Sequence, residues 1–439
     1  MAEHPPTGRM ARGAIVGLAV ARAGVAQLSH KAQVLALTEA RAEAARAAHQ
    51  ARLGRILFGA LNQLKGTALK AAQLLSMELG LLPEPLREQL ARAHFQATPL
   101  NRALVIKLLR QEFGQGPEQL FAQFEPQAFA AASLGQVHRA SLPDGQPLAV
   151  KLQYPGMAAS IRSDLALLRS LLGGLGQGAQ MPEPALLERL LGEIEAKLAE
   201  ELDYRQEADA LDWFADRLAH LPELVLPRPL RSHSSARVLC MQHLQGLHLH
   251  DWLATGPSQA ERDRVGQLLW DLFMHSVFVL RRLQADPHPG NYLFMPDGRL
   301  GLLDFGCTRD LSEDFVQGLT RAWTAHLAGE PQGLHLAYQG LGLIAPGLTR
   351  ANFERELLPC LRPVLDWQLL PWRSDHHDFS VHPPPPRMSR DTHAQAMRHL
   401  HGMPPELPFF DRAHLGLVQM LKSLGARVRT SPGVPILPS

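Results

Sequence analysis

Two short segments, residues 285–291 and 302–306, restrict the possible folds of this chain more than any other part of it. The first reads Ala-Asp-Pro-His-Pro-Gly-Asn and the second reads Leu-Leu-Asp-Phe-Gly. Together they give an aspartate, an amide five residues later, and a second aspartate that closes an apolar strand. This spacing recurs where phosphoryl groups are transferred. Asp-Phe-Gly alone is also typical of a strand that ends in a turn, but the upstream pair favours the functional interpretation.

The residue types in these segments suit the binding of a metal-bound triphosphate. Triphosphate oxygens and Mg²⁺ need hard oxygen ligands that are held on short, stiff segments of chain. Asn291 offers a neutral carbonyl oxygen and Asp304 a charged carboxylate, so both are predicted metal ligands. Asp286 is placed to orient or deprotonate an attacking hydroxyl or water, so it is the predicted catalytic residue.

A lysine lies inside an apolar, strand-like run, Leu-Ala-Val-Lys-Leu at 148–152. Lysine is rare in this chain, which contains seven, so Lys151 is unusual in such a place. One interpretation is a solvent-facing lysine on an edge strand. The other places Lys151 on nucleotide phosphates, where a carboxylate holds its side chain.

An acidic segment, Glu-Leu-Asp-Tyr-Arg-Gln-Glu at 201–207, offers carboxylates for such a pair. Asp203 and Glu207 are predicted to share one face of a helix over 185–219. A lysine–carboxylate contact near ~4 Å at an effective dielectric of ~20 gives about 4 kcal/mol of Coulomb attraction. Desolvation removes much of that energy, so the pair would orient the lysine more than stabilise the fold. The alternative is a solvated helix face with Arg205 as a neighbour.

Residues 129–138, Phe-Ala-Ala-Ala-Ser-Leu-Gly-Gln-Val-His, lie where a kinase has its Gly-rich loop. Alanines do not readily adopt the positive φ angles that glycines allow. Backbone N–H groups at such a turn can still hold phosphates, with Ser133 and Gly135 contributing. The alternative is a turn of small residues between strands. Two short strands are predicted around Pro-Asp-Gly at 143–145, and the second carries Lys151.

The order of the predicted elements is a strand hairpin, helices, short strands and then helices from residue 311 onward, interrupted by the proline run at 383–386. This order predicts an α+β fold with a small mixed β lobe and a large helical lobe. The predicted parts are an N-terminal helical extension (1–110), an N-lobe (111–246) and a C-lobe (247–439). The proline run at 383–386 is predicted to be an exposed polyproline II connector. A formal net charge of +2 argues against a general nucleic-acid binder. The three cysteines have no CxxC spacing, which argues against a disulfide framework or a zinc site.

No stretch predicts a transmembrane helix, because the longest apolar runs are short or contain charged residues. Membrane contact would depend on the Arg-bearing N-terminal helices around residues 13–28, for which plain helix packing is an equal alternative. The tail at 430–439 is too short to span a bilayer. The expectation is a cytoplasmic protein that can also associate peripherally with the inner membrane.

The motifs, in this order, resemble those of the UbiB/AarF family of atypical kinase-like proteins, especially the branch that supports ubiquinone biosynthesis. The resemblance runs from about residue 54 to about residue 424. Its specific motifs are Ala-Ala-Ala-Ser-Leu-Gly-Gln-Val-His (130–138), Val-Lys-Leu-Gln-Tyr-Pro-Gly (150–156), Glu-Leu-Asp-Tyr-Arg-Gln-Glu-Ala (201–208) and the two segments above. The segment 64–70 leads into the family's Lys-x-Gly-Gln element, in which Ala72 replaces the glycine.

The resemblance implies that the α+β fold is of the bilobal, atypical protein-kinase-like kind, and it implies a role for each matching residue. Lys151 would contact nucleotide phosphates and pair with Glu207, so both join Asp286 in the predicted catalytic group. The metal ligands would be Asn291 and Asp304. The predicted nucleotide-binding residues are Ala130, Ala131, Ala132, Ser133, Gly135, Gln136 and Lys151. A regulatory element over the active site would consist of Lys70, Gln73 and their acidic partners Glu201 and Asp203.

In the family that helical element blocks the entry of a protein substrate. The resemblance therefore implies an ATPase or small-molecule kinase that uses ATP/ADP with Mg²⁺ or Mn²⁺ and supports ubiquinone or another prenyl-lipid pathway. The expected partners are the nucleotide, an anionic membrane surface and proteins of prenyl-lipid biosynthesis. Two alternatives are a phosphotransferase acting on a protein and a nucleotide-sensing scaffold without turnover.

Overall fold

The computed structural model describes residues 9–34, 39–64, 71, 100–132, 134–175 and 184–430. The chain divides into two compact units. Unit 1 comprises Met1–Asp216 and Pro227–His243, and unit 2 comprises Arg217–Leu226 and Leu244–Ser439. Each unit has its own hydrophobic core.

Unit 1 contains helices whose apolar faces pack on one another or on a sheet. They are α1 (Arg9–Val34), α2 (Glu39–Leu64), α3 (Arg102–Phe113), α4 (Pro117–Leu120), α5 (Met157–Leu175), α6 (Pro184–Glu201) and α7 (Tyr204–Arg217). Alanine and leucine side chains of α1, α2, α5 and α6 form one core cluster. Small alanines on α1 let neighbouring helices approach closely, which suits the Ala-rich sequence of this part of the chain.

The sheet of unit 1 is antiparallel and carries the strand-borne lysine. Its strands are β1 (Gln123–Phe124), β2 (Ala130–Ala132), β3 (Gly135–Ser141), β4 (Pro147–Gln153) and β6 (Val238–Gln242). The order is β1-β3-β4-β6, with β2 also paired to β3. The predicted hairpin is present: β3 and β4 pair with Val137 opposite Lys151, and Gly145 adopts φ 87° in the connecting turn. Glycine is the residue that reaches this conformation without strain.

Strand β4 is buried on both faces, which places Lys151 in a central strand and not on an edge. Side chains alternate between the two faces of a strand. Leu148, Val150 and Leu152 pack in the core cluster that includes α3. Lys151 and Gln153 point to the opposite face, where the junction of α6 and α7 lies.

Unit 2 contains short strands that hold the loops of the two signature segments. They are β5 (Leu224–Val225), β7 (Arg282–Gln284), β8 (Tyr292–Phe294), β9 (Leu300–Leu302), β10 (Thr308–Asp310), β11 (His376–Asp378) and β12 (Arg427–Arg429). Strand β9 lies between β5, which is parallel to it, and β8, which is antiparallel. The pairs β7–β10 and β11–β12 are antiparallel.

The helices of unit 2 surround an aromatic core. They are α8 (Leu249–Ala254), α9 (Gln259–Phe278), α10 (Glu313–Ala328), α11 (Pro331–Gly340), α12 (Arg350–Asn352), α13 (Leu358–Leu369), α14 (Arg390–His399) and α15 (Leu407–Leu424). A π-helical turn, Phe353–Leu357, joins α12 to α13, and 3₁₀ turns lie at Pro289–Asn291, Leu370–Arg373 and Phe379–Val381. Unit 1 has a further 3₁₀ turn at Arg231–His233. The rings of Trp270, Trp323, Trp372, Phe410 and His414 contact one another in this core.

Two expectations about secondary structure were wrong. The helix expected over 185–219 is two helices, because the chain turns at Leu202 and Asp203. The Asp203 carboxylate accepts a bond from the Arg205 N–H and its carbonyl accepts one from the Gln206 N–H, so the second helix starts anew there. The region beyond residue 311, expected to be helical apart from the proline run at 383–386, also contains the pair β11–β12.

Candidate functional site

Lys151 and Glu207 form a buried ion pair in unit 1. The lysine Nζ donates to both carboxylate oxygens of Glu207, at 2.8 Å each. Neither side chain is more than 8% exposed. Glu207 lies in the first turn of α7, where the helix dipole also favours a carboxylate. The structure therefore brings together the two residues that the sequence paired.

The surroundings of this pair fix the lysine stem. The ring of Tyr204 lies 5.1 Å from the Lys151 Nζ, within range of a cation–π contact. Gln153, two residues along the same face of β4, donates from Nε2 to the Leu202 carbonyl at 2.9 Å. Gly135 completes the close packing, because a Cβ there would lie 2.2 Å from the Leu152 carbonyl oxygen.

The alanine-rich segment forms a tight hairpin. Ala130–Ala132 is strand β2, with Ala131 opposite Gln136 and Ala132 opposite Gly135 in β3. The amide of Gln136 is buried: its oxygen accepts from the Leu100 N–H at 2.7 Å, and its nitrogen lies 2.7 Å from Nε2 of His138. That side chain therefore holds the base of the hairpin, and a nucleotide-binding role at Gln136 would use its backbone.

The acidic partners predicted for the regulatory element lie at the junction of two helices. Glu201 is the last residue of α6, and Asp203 directly precedes α7. Asp203 and Glu207 therefore do not lie one turn apart within a single helix. Lys70, Gln73 and Ser133 lie outside the described residues, as does Ala72, and their predicted roles stay predictions.

In unit 2, the aspartate and the amide of the first signature segment are in contact. Asn291 donates from Nδ2 to the Asp286 carbonyl at 2.9 Å and approaches the Asp286 Oδ2 at 3.3 Å. The Asn291 N–H donates to the His288 carbonyl, which closes the loop in a 3₁₀ turn. Because the amide nitrogen faces Asp286, the carbonyl oxygen of Asn291 is directed away from that carboxylate.

The Asp-Phe-Gly segment lies beside this loop. The first loop follows β7 and precedes β8, and Asp304 lies between β9 and β10. Since β7 pairs with β10 and β8 pairs with β9, the two loops are tied at both ends. Gln284 joins them directly, donating from Nε2 to the Asp286 carbonyl at 2.8 Å and to the Asp304 carbonyl at 3.2 Å.

The donor set at these loops fits a hard divalent cation. Asp304 supplies a carboxylate whose Oδ1 accepts from the Gly306 N–H at 2.8 Å, and Asn291 supplies an amide oxygen. Mg²⁺ is typically held by one or two such oxygens together with phosphate oxygens and water. Within the described ranges, no group of three or more His, Cys, Asp or Glu side chains is arranged as a metal cluster.

The negative charge of Asp286 also affects Tyr292, which directly follows Asn291 in the chain. Burial raises the pKa of the Tyr292 hydroxyl, and the negative charge of Asp286 raises it further. The tyrosine therefore stays protonated at neutral pH, and its side chain adds no charge beside Asp286.

Sequence reasoning missed a basic residue that contacts Asp286. Arg412, on α15, bonds from Nη2 to the Asp286 Oδ1 at 2.5 Å. It is 126 positions away from Asp286 in the chain. The loop between Asp286 and Asn291 reads Pro-His-Pro-Gly and contains no lysine or arginine. That lack of a local cation was the only signal available in the sequence, and it does not indicate which distant residue provides one.

Comparisons with known proteins give one family and several relatives. A family model described as the ABC1 atypical kinase-like domain matches residues 92–335. The chain is 32% identical over 259 residues to "Atypical kinase COQ8, mitochondrial" of Saccharomyces cerevisiae, which covers 58% of this chain and 50% of the yeast protein. It is 34% identical over 291 residues to "Atypical kinase COQ8B, mitochondrial" of Rattus norvegicus, covering 66% of this chain and 52% of the rat protein.

A solved structure is also similar. It is Rv3197 of Mycobacterium tuberculosis in complex with erythromycin, which shares 26% identity and a TM-score of 0.57. The match covers 85% of this chain and 92% of the mycobacterial chain. The chain spans about half the length of the two curated relatives above.

Proposed function

The chain belongs to the ABC1 atypical kinase-like family, and from this premise we propose that it binds ATP with a divalent metal and hydrolyses it or transfers its γ-phosphoryl group to a small molecule. The resemblance to UbiB/AarF proteins that the motifs predicted is confirmed. The predicted α+β, atypical kinase-like fold is confirmed as well.

The observation that carries the proposal is the buried contact between Lys151 and Glu207. The free energy needed to remove two charges from water is commonly larger than the free energy gained from their attraction, so such a pair contributes little to the stability of a fold. It is a good orienting device, since a carboxylate that binds through both oxygens fixes the position of the ammonium group. A lysine held in this way from a central strand supports a role in binding nucleotide phosphates.

The loops of unit 2 support the remaining roles. In the proposed hydrolysis, a water oxygen forms a bond to the γ-phosphorus, the bond to the bridging β–γ oxygen breaks, and ADP leaves with that oxygen. Asp286 orients the water and accepts its proton. Asn291 and Asp304 would hold the metal, which neutralises charge on the phosphate oxygens when bound. Transfer to a small molecule follows the same route, with a hydroxyl in place of water.

We further propose that the activity supports ubiquinone or another prenyl-lipid pathway. The family resemblance and the COQ8 relatives support this assignment. Helix α1 supports contact with an anionic membrane, because Leu18, Val25 and Leu28 are 54–70% exposed on it beside Arg22. Among the described residues, no helix combines the length and apolar content that a bilayer crossing requires.

Thermal unfolding with and without Mg-ATP or Mg-ADP tests the nucleotide site. We expect metal-dependent stabilisation of the wild type and none of Lys151→Ala, with the ligand-induced change in Tm as the readout. Lys107→Ala, which removes an exposed lysine on α3, is the matched control and should respond like the wild type. If the folded wild type gains no stability from either nucleotide, the proposal is wrong.

Phosphate release with and without anionic liposomes tests turnover. The proposal predicts slow hydrolysis that liposomes or prenyl-lipid precursors stimulate and that Asp286→Asn reduces to a small residual rate. Robust transfer of phosphate to a protein, lost in the same variant, would favour a protein phosphotransferase instead. A scaffold without turnover would retain its cellular function in Asp286→Asn and lose it in Asp304→Asn.

A further inference from the structure

One face of helix α15 runs along the loops of the candidate site in unit 2. Three of its residues and its N-cap residue, spaced three or four apart, contact the loop of Asp286 or the segment that follows Asp-Phe-Gly. The pairs are Glu406 with Ser312, Phe409 with Arg309, Arg412 with Asp286, and Gly416 with Pro287. Residues with this spacing share one side of a helix. The C-terminal helix is therefore part of the wall of the site.

Arg412 holds one carboxylate oxygen of Asp286 while Asn291 approaches the other. The arginine Nη2 contacts Oδ1 at 2.5 Å, and the Asn291 Nδ2 lies 3.3 Å from Oδ2. Both charged side chains keep about a quarter of their surface exposed, so they lie at an accessible edge of the core. With a donor on each oxygen, the plane of the carboxylate is fixed.

At Gly416 the backbone of α15 packs directly against the loop of Asp286. A Cβ built at Gly416 would lie 2.1 Å from Cγ and 2.3 Å from Cβ of Pro287. Only glycine fits such a separation without movement of one segment. Gly416 is one helical turn beyond Arg412. This contact therefore sets the distance between the helix at Arg412 and the loop of Asp286.

We propose that Arg412 is the positioning residue of Asp286, provided by a helix far along the chain in place of a cation within the catalytic loop. The inference rests on the proposed function, since it gives Arg412 a role in the same phosphoryl transfer. The guanidinium group holds the carboxylate in the orientation from which it directs water to the γ-phosphorus. Without it, Asp286 can rotate toward solvent, and a misplacement of about 1 Å can cost on the order of 100-fold in rate.

The test compares phosphate release by wild type, Arg412→Ala, Arg412→Lys, Asp286→Asn and the double variant Arg412→Ala/Asp286→Asn. We expect kcat to fall by about 10- to 100-fold in Arg412→Ala, with the Mg-ATP-induced rise in Tm unchanged. Arg412→Lys keeps the charge and should be less impaired, and it carries the test if the alanine variant does not fold. Arg398→Ala, an exposed arginine on α14, is the control and should match the wild type.

Two readouts separate positioning from a purely structural role. If Arg412 acts through Asp286, the double variant will be no slower than Asp286→Asn alone, because the two losses are not additive. Added guanidinium chloride at low millimolar concentration should also restore part of the kcat of Arg412→Ala and leave Arg398→Ala unchanged. The inference is overturned if Arg412→Ala turns over ATP at the wild-type rate, or if the two losses multiply in the double variant. In either case, nucleotide binding by the wild type still upholds the proposed function. A wild type that binds no nucleotide overturns both.

Discussion

Lys151 donates to both carboxylate oxygens of Glu207 from an interior strand of the unit 1 sheet, at 2.8 Å to each oxygen. Removing one member of such a pair takes a close opposite charge away from a group that stays buried. We therefore expect Lys151→Met or Glu207→Gln to lower the free energy of unfolding by about 3–5 kcal/mol. The double variant should lose less than the sum of the two, because each charge is then absent together with its partner. Urea denaturation measures all three values.

The surface pair Arg350–Glu354 provides the control for that series. Its members lie four residues apart on the surface of unit 2, and the arginine side chain is half exposed. Arg350→Ala should cost less than about 1 kcal/mol, because solvent screens the pair in both states. If Lys151→Met and Arg350→Ala lower the free energy of unfolding equally, the Lys151 charge is not a buried charge that Glu207 stabilises.

Local sequence patterns predicted those parts of the site whose residues lie close together in the chain. The Pro-Asp-Gly turn fixes the hairpin of β3 and β4, so the strand that carries Lys151 was predictable from turn chemistry. The spacing of Asp286, Asn291 and Asp304 likewise lies within about twenty residues, and strands tie those loops together. The convergence of Lys151 with this group around one triphosphate remains a prediction, because the two sets belong to different units.

Long-range packing determined what the sequence did not reveal. Strands β11 and β12 are three residues each, too short for an alternating pattern to stand out from the helices around them. The break at Leu202 and Asp203 contains neither Gly nor Pro, and its local signal is the weaker one of an N-cap residue, Asp203, with Gln206 three positions later. The approach of Arg412 to Asp286 depends on how α15 packs, and a helical arginine carries no local mark of its partner.

Gly416→Ala should destabilise unit 2. The added methyl would lie 2.1 Å from the Pro287 ring, so α15 or the loop of Asp286 must move. Overpacking of this kind costs about 1–3 kcal/mol, and thermal unfolding should show a lower Tm. Gly192→Ala is the control: it lies inside α6, nothing is within 4 Å of the added carbon, and helix propensity predicts a gain of up to about 1 kcal/mol. If both variants have the same Tm, the tight contact is absent.

His414 should make unit 2 sensitive to acid. Burial, together with the neighbouring His382, lowers the pKa of His414 to about 3, and its Nε2 has no hydrogen-bond partner among the described residues. Below pH 6.5 the unfolded chain binds a proton there that the folded chain excludes, so the free energy of unfolding falls as the pH falls. At pH 5 the loss from this group is about 2 kcal/mol.

His414→Phe tests this prediction, because the aromatic core around the ring can accept phenylalanine. The variant should lose less stability than the wild type between pH 7.5 and pH 5, as measured by urea denaturation at each pH. Its stability at pH 7.5 should change little, because the substitution also removes a buried nitrogen without a partner. A wild-type slope in the variant would show that another group controls the acid response.

Asp411 should act in the opposite direction from the same helix. Burial raises its pKa to about 7, against 3.8 in the unfolded chain, and the bond from the Gln368 Nε2 at 3.4 Å is too long to offset that. Between pH 3.8 and pH 7 the unfolded state releases a proton that the folded state retains, so stability is greatest in acid and falls as the pH rises through this window. Asp411→Asn keeps the shape without the charge, so it should raise the free energy of unfolding at pH 8 by about 4 kcal/mol and change it by less than about 1 kcal/mol at pH 4. Urea denaturation at the two values measures the difference, and a gain that is equal at pH 4 and pH 8 would show that the carboxyl of Asp411 does not titrate between them.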